Sequence, residues 1–331
     1  MVRVLSIAAM LQCMGLAAYA QNFRYSVPGL DTLQTGLIVQ GTAANVLRSG
    51  QSEIILNSSL NSYQIALHAN GDNSPVLDRL RNSILTTDLM GFYGVSASGK
   101  FDLGIQAKYT RSRLDNAATS SPLKVLTNDQ KTEVGDPLFQ PSGSTDRTFS
   151  GLASAGLRFR WKPFNTVPAL VINGGYALST EKDSLTRRQI TADRDIADIG
   201  LSYYQSVTDN LFFFVSGQAL AYLPSSDRDE SLYTTSIGAY IIGRTNNRKW
   251  LFYPGLSYGL SFKPSEFDDK ALIRTTNSLF AVGGIQYAPN AQVNIFATAG
   301  FPLQIELINP LLEIIQQSYS LFGLGFRVAV M

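Results

Sequence analysis

The sequence contains one cysteine, Cys13, one histidine, His68, and few charged residues. A disulfide needs two cysteines and cysteine metal sites need several, so neither feature is expected. Charged residues make up 16% of the chain, against about 25% in typical soluble domains, which argues against an ordinary soluble surface. The net charge of +2 gives no electrostatic reason to expect a nucleic-acid partner.

Long hydrophobic runs are also missing beyond residue 20. No segment there approaches the roughly 18 uninterrupted apolar residues that a membrane-spanning helix needs. Hydrophobic residues nevertheless make up 45% of the chain, and aromatic residues 11%. Apolar residues that are abundant but dispersed favour a membrane β-barrel, although a soluble β-sandwich stays open on composition alone.

The first twenty residues predict a secretory signal peptide. Arg3 precedes an apolar stretch from Val4 to Ala18, and the residues at 18–20 fit the small-x-small cleavage rule. A membrane anchor is the alternative, which the short length of the stretch disfavours. Gln12 stands where a lipoprotein signal has a small residue, so Cys13 is not expected to carry lipid. We therefore expect export to the bacterial outer membrane, with Gln21 as the first mature residue.

Side chains alternate along Arg147–Ser179. One face of the first half carries Phe149, Ala153, Ala155, Leu157, Phe159 and Trp161, and the other carries Ser150, Ser154, Gly156, Arg158, Arg160 and Lys162. A period of two with unlike faces is typical of a β-strand. A short turn with proline and asparagine follows, and then a second strand with one apolar face. This stretch therefore predicts an antiparallel hairpin.

Comparable segments recur along the chain. We place strands near residues 53–68, 81–98, 100–114, 147–162, 167–179, 195–207, 211–223, 231–244, 250–262, 274–288, 291–302 and 317–330. Each can cross a bilayer as a tilted strand of about 9–11 residues. Short connections alternate with long ones, as in outer-membrane barrels. We predict an all-β fold, a transmembrane antiparallel up-and-down barrel of about twelve strands over residues 52–331, with short periplasmic turns, long external loops, and residues 21–51 as a lead or plug.

Three segments carry a resemblance to a known family. GLASAGLRFRWKP with PALVINGGYAL, VTDNLFFFVSGQAL, and GFYGVSASGKFDLGIQAKY resemble the repeat unit of the phenol-degradation-pathway (MetA-type) outer-membrane family. That family is related to the long-chain fatty-acid transporters. The aspartate that often opens the first unit is replaced by Ala153. The resemblance implies a barrel and the passage of small apolar or aromatic compounds, and it carries over no functional residues.

The predicted inner face has a mixed composition. The candidate lumen and ligand residues are Asp88, Phe92, Lys108, Arg158, Arg160, Asp198, Phe280, Phe296 and Arg327, and Asp102, Phe212 and Phe214 are expected to face inward with them. Opposite charges in a narrow lumen would pair and fill it. The other interpretation is an amphipathic binding cavity with a gated path.

The last predicted external loop, Leu303–Gln317, is unlike the polar loops before it. Its candidate solute-capture residues are Leu303, Ile305, Leu311, Leu312 and Ile315. Pro310 is suited to start one or two helical turns after it. A loop this apolar should not stand free in water, so we expect either a capture site above the lumen or a simple cap.

The predicted function is passive or gated passage, or binding, of small hydrophobic or aromatic solutes. A structural or adhesive barrel with a filled lumen is the alternative. A lipase is less favoured, because position 70 holds Asn70 where the outer-membrane phospholipase pattern needs a serine two residues after the histidine. The carboxylate clusters at 227–230 and 266–270 are expected to be solvated loops. We expect no enzyme activity, no cofactor and no metal, with outer-membrane lipid as a partner and the oligomeric state open.

Overall fold

The computed structural model describes residues 46–69, 75–77, 80–116, 121–126, 147–164, 170–190, 194–223, 231–264, 272–290, 292–307 and 312–330. The predicted signal peptide lies outside these residues, as does most of the predicted lead segment. The strands are β1 (Ser52–Ala69), β2 (Pro75–Leu77), β3 (Leu80–Gly94), β4 (Phe101–Asn116), β5 (Arg147–Trp161), β6 (Leu170–Ser179), β7 (Asp195–Thr208), β8 (Leu211–Leu223), β9 (Leu232–Arg244), β10 (Trp250–Phe252), β11 (Gly255–Pro264), β12 (Leu272–Tyr287), β13 (Val293–Leu307) and β14 (Leu312–Val330). A 3-10 helix spans Pro122–Leu126, and helix α1 spans Ser184–Gln189.

These strands form one closed barrel. β2 is a short arm paired with β1, while β10 and β11 are two halves of one wall strand, so the wall has twelve strands. β1 pairs with β14 in antiparallel fashion from Ser52 opposite Val330 to Ala69 opposite Leu312. Because the first and last strands pair, the sheet has no free edge, which a barrel in lipid requires. The predicted fold class is confirmed.

Short and long connections lie at opposite ends of the barrel. Turns at 95–100, 209–210, 245–249 and 288–292 share one end with Ser52 and Val330, and we call this the short-turn end. The other end receives the connections that include residues 117–146, 180–194 and 224–231. The predicted alternation is therefore confirmed. No helix among the described residues is long and apolar enough to cross a membrane.

The outer face of the wall is apolar, as the alternation predicts. Ile105, Leu157 and Leu324 are 66%, 69% and 62% exposed, although a folded water-soluble core would bury such side chains. Their neighbours along the strand turn inward and are covered, as Arg158 at 7% exposure shows. An apolar outside and a polar inside are the arrangement that a bilayer requires of a spanning barrel.

The alternation predicted for the start of β5 is wrong. Lys108 of β4 lies opposite Ser154, but Tyr109 lies opposite Leu152, so Ala153 is an extra residue in a bulge. The bulge reverses the faces before it. Phe149 lies opposite the buried Ser112 and so faces inward, and Ala153 is 3% exposed, although both were predicted to face lipid.

Pro254 interrupts the wall strand between β10 and β11. It has no backbone N–H to donate, yet its carbonyl accepts from Ile241 N at 3.0 Å, and Tyr253 N donates to Gly284 O at 3.0 Å. The Tyr253 ring lies so close to Gly284 that a Cβ there would come within 2.4 Å of it. The wall therefore stays hydrogen-bonded on both sides of the interruption.

The predicted apolar external loop is largely strand. Leu303 and Ile305 belong to β13, and Leu312 and Ile315 belong to β14, while Leu311 lies outside the described residues. The predicted helical turns after Pro310 are replaced by strand because β1 extends to Ala69 and supplies a hydrogen-bonding partner for the start of β14. Leu303 is 59% exposed on the outer face, whereas Ile305 is 9% exposed on the inner face.

Candidate functional site

The inner wall has a charged half. Six polar side chains face inward from β4, β5 and β7, and we call them the charged arc: Asp102, Gln106, Lys108, Arg158, Arg160 and Asp198. They share a face because residues opposite one another on paired strands point the same way. This half of the lumen can stabilise charge, since its groups lie close enough to pair.

At the short-turn end, the charged arc joins an ion network. Arg160 donates to both oxygens of Asp102, at 2.8 Å from Nη2 and 3.0 Å from Nε, and also to Glu53. Glu53 accepts from Arg327 Nε at 2.6 Å. The Arg160 guanidinium lies over the Phe92 ring, 3.9 Å from its centroid. Two carboxylates and two guanidinium groups thus neutralise one another in a space closed to water.

A second pair lies further along the same strands. Arg158 donates to Asp198 through Nη1 at 3.1 Å and Nη2 at 2.7 Å, which is a two-pronged contact. Its Nη1 also donates to Gln106 Oε1 at 2.7 Å. Gly175 lies between the two partner strands, and a Cβ there would come within 3.3 Å of Asp198 Oδ1. The geometry fixes Arg158 in one orientation.

The segment before β1 is held against the wall at the short-turn end. Leu47 N donates to Asp102 Oδ2 at 3.0 Å, and the Leu47 side chain packs with Ile55, Met90 and Phe92. Ser49 N donates to Ser96 O at 3.0 Å. Residues 46–51 are therefore tied to the ion network as well as to the adjacent turn.

The other half of the inner wall carries an apolar cluster among polar side chains such as Asn82 and Thr234. Eight buried side chains form one contiguous cluster, and we call it the apolar arc: Tyr63, Ile84, Phe214, Tyr240, Phe280, Val282, Ile305 and Leu321. They come from β1, β3, β8, β9, β12, β13 and β14. Gly300 joins two of them, since a Cβ there would meet both Leu321 and Val282. The arc is a contiguous cluster of buried apolar side chains inside a barrel whose outside is also apolar.

The candidate residues predicted from the sequence divide between these halves. Arg158, Arg160 and Asp198 belong to the charged arc, as does Lys108, which lies opposite Asp88. Phe92 and Arg327 join the network at the short-turn end, whereas Phe280 belongs to the apolar arc. Phe296 is 6% exposed, and its ring lies over Gly325. The structure places these side chains inside the barrel, and their role toward a solute stays a prediction.

Several interior residues escaped the sequence-based prediction. Glu53 stands near the start of β1, where its part in an ion network has no local signal. Asn57 and Asn61 lie four residues apart on the inner face of β1, and both are fully buried. The pairing of β1 with β3 is unbroken from Ser52 to Gln64. Regular alternation from Glu53 would have identified both asparagines.

A further charged cluster lies on the outer wall near the long-loop end. Arg81 contacts Asp115 at 2.9 Å, and Arg113 donates to Lys124 O of the 3-10 helix at 3.3 Å. Register places Arg81 and Asp115 on the face opposite to the inward Asn82. The cluster is buried under its own loop, so it belongs to the packing of that loop rather than to the lumen.

Two pKa shifts accompany polar groups outside the strands. Burial lowers the pKa of Lys162, and the positive charge of the nearby Arg160 lowers it further. Hydrogen bonds from Thr186 lower the pKa of Asp183, which caps the start of α1. Both groups lie outside the strands, so neither shift concerns the charged arc directly.

Solved structures share this architecture. An outer-membrane channel from Pseudomonas putida F1 is similar with a TM-score of 0.54 and 13% identity over 87% of this chain and 98% of that chain. The beta domain of the Bordetella autotransporter BrkA is similar with a TM-score of 0.50 and 13% identity over 84% and 99%. No protein-family model matches the chain, and no curated protein matches its sequence. At these identities the likeness shows the fold alone.

Proposed function

We propose that this chain is a barrel of the bacterial outer membrane that binds small hydrophobic or aromatic solutes and lets them pass along a gated path. The apolar arc carries the proposal. A spanning barrel already meets lipid with apolar residues on its outside, and its inside ordinarily is polar. A contiguous interior cluster that includes Phe214, Tyr240 and Phe280 offers the apolar contact that such a solute needs.

Four further features support passage through this barrel. The first twenty residues fit a secretory signal peptide, and for an exported barrel the short turns are expected in the periplasm. The hairpin resemblance described above points to a family linked with aromatic compounds. One similar structure is an outer-membrane channel. The segment at 46–51 is bound to the inner wall at the short-turn end, where a gate would have to act.

The alternative is a structural or adhesive barrel with a filled lumen. Its support is the ion network, because Arg160, Asp102 and Glu53 are almost wholly buried and satisfy one another. A packed interior of this kind needs no solute. The two proposals differ in what the apolar arc does, since a filled barrel uses it only for packing.

Entry of N-phenyl-1-naphthylamine into intact cells tests the proposal, because an intact outer membrane excludes this fluorescent probe. Expression of the barrel should speed entry, and Phe280→Ser should reduce that gain several-fold. Phe322→Ser is the matched control, because Phe322 is 51% exposed on the outer face. A folded barrel that adds no entry over cells without it would favour the filled-lumen alternative.

We also propose that the barrel is not a hydrolase. The serine spacing required by the phospholipase pattern is absent, since Asn70 stands in that place. Release of fatty acid from phospholipid vesicles by the purified barrel is the direct measurement. Release that disappears in His68→Ala would contradict this proposal.

A further inference from the structure

Two asparagines in the lumen have no hydrogen-bonding partner. Asn57 and Asn61 are each 0% exposed, and neither the amide nitrogen nor the amide oxygen of either residue has a partner among the described residues. A buried polar group without a partner costs about 1–3 kcal/mol. Native proteins keep few such groups, so two on one strand face call for a physical reason.

The two amides differ in their surroundings. Asn61 lies opposite Ile84 on one neighbouring strand and Leu321 on the other, and both of these residues belong to the apolar arc. Asn57 lies opposite Gly325 on one side, where the Phe296 ring covers the backbone, and opposite Asp88 on the other. A leucine at Asn61 would extend the apolar arc and remove its unmet hydrogen bonds.

We propose that Asn57 and Asn61 bind the polar substituent of an amphipathic aromatic solute, whose ring packs on the apolar arc. An asparagine amide offers two donors and an acceptor, so it suits a group that both donates and accepts, such as a hydroxyl. This inference rests on the proposed function and narrows it from hydrophobic solutes in general to aromatic solutes that carry one small neutral polar group.

The spacing of the amides makes them successive positions on one path. Four residues of strand span about 13 Å, which a strand tilt near 40° reduces to about 10 Å along the barrel axis. A single-ring solute is shorter than this distance, so it contacts one amide at a time. The solute can exchange its hydrogen bond from one amide to the next while its ring stays on apolar surface.

Selectivity for a solute with a hydroxyl follows from the free-energy cost of a buried amide that has no hydrogen bond. A solute with a hydroxyl satisfies Asn61 on binding, whereas an isosteric hydrocarbon leaves it buried and unpaired. A site built to hydrogen-bond its ligand discriminates against analogues that lack the group. Benzyl alcohol and ethylbenzene form such a pair, because they have the same shape and differ in one hydroxyl.

The test compares the affinities of these two compounds for the full barrel in nanodiscs, by saturation-transfer NMR with empty nanodiscs subtracted. The wild type should bind benzyl alcohol about three- to tenfold more tightly than ethylbenzene, as one hydrogen bond provides. Asn61→Leu and Asn57→Leu should each reduce this preference and leave ethylbenzene bound at least as well. Asn294→Leu is the control, because Asn294 already accepts from Gln286 at 2.9 Å.

An unchanged preference in both asparagine variants, with the heat-modifiable gel shift of a folded barrel, overturns this inference alone. An equal loss of affinity for both compounds in Asn61→Leu also overturns it, since that result indicates that Asn61 serves only packing. A wild-type barrel that binds neither compound overturns the proposed function as well. The two failures are therefore distinguishable in one experiment.

Discussion

The two halves of the inner wall differ in whether their buried polar groups have hydrogen-bonding partners. On the charged arc, Arg158 and Arg160 each meet a carboxylate through more than one hydrogen bond, and Glu53 links Arg160 to Arg327 at the short-turn end. Along the apolar arc, Asn61 lies between Ile84 and Leu321, and its amide has no hydrogen-bonding partner among the described residues. Our proposal therefore places the polar group of a solute beside the apolar arc.

The largest expected effect comes from opening the ion network. Asp102→Ala should destabilise the barrel by about 3–5 kcal/mol, because it removes the carboxylate that accepts from Nε and Nη2 of the buried Arg160 and from Leu47 N. Urea unfolding in lipid measures the change. Asp209→Ala in an exposed turn is the control and should have little effect. Equal stabilities for both variants would show that the charged half tolerates unpaired charge.

A charge on the outer face of the same wall should also be costly. Leu157→Arg should cost about 2–4 kcal/mol, since hydrocarbon cannot hydrate the guanidinium, while Arg158 beside it is held by Asp198 inside. The heat-modifiable gel shift and urea unfolding measure the loss of stability. Leu157→Phe keeps the site apolar and should leave both unchanged. A stable Leu157→Arg barrel would contradict the assigned faces.

The sequence predicts the wall well and the interior less well. Side-chain alternation identified twelve strands, because the face on which a strand residue lies alternates with its position in the sequence and needs no distant partner. It failed at Phe149, since the bulge at Ala153 is set by pairing with β4. It also failed at Leu312–Gln317, where strand depends on the length of β1. Ion partners such as Glu53 and Arg327 are 274 residues apart, and no local pattern reports them.

On the apolar half, Gly→Ala should destabilise the barrel more where an aromatic ring lies against the glycine. Gly255→Ala should cost about 1–3 kcal/mol, because a Cβ there would come within 2.3 Å of the Tyr240 ring and 2.4 Å of Ala239 O. Gly283→Ala is the control, since its nearest neighbour would be 4.0 Å away. Urea unfolding of the two variants should separate them. Identical midpoints would show that the apolar arc is loosely packed.

The smallest expected effect has the opposite sign. Asn61→Leu should stabilise the barrel by about 1 kcal/mol, because it replaces an unmet buried amide with an apolar side chain of similar size. On the charged half, Gln106→Leu removes an acceptor that Arg158 uses at 2.7 Å, so it should destabilise. Urea midpoints that move in opposite directions would establish the difference between the halves. A loss of stability in Asn61→Leu would instead mean that the amide is satisfied within the folded barrel, and the inference drawn from its unmet hydrogen bonds would then lose its support.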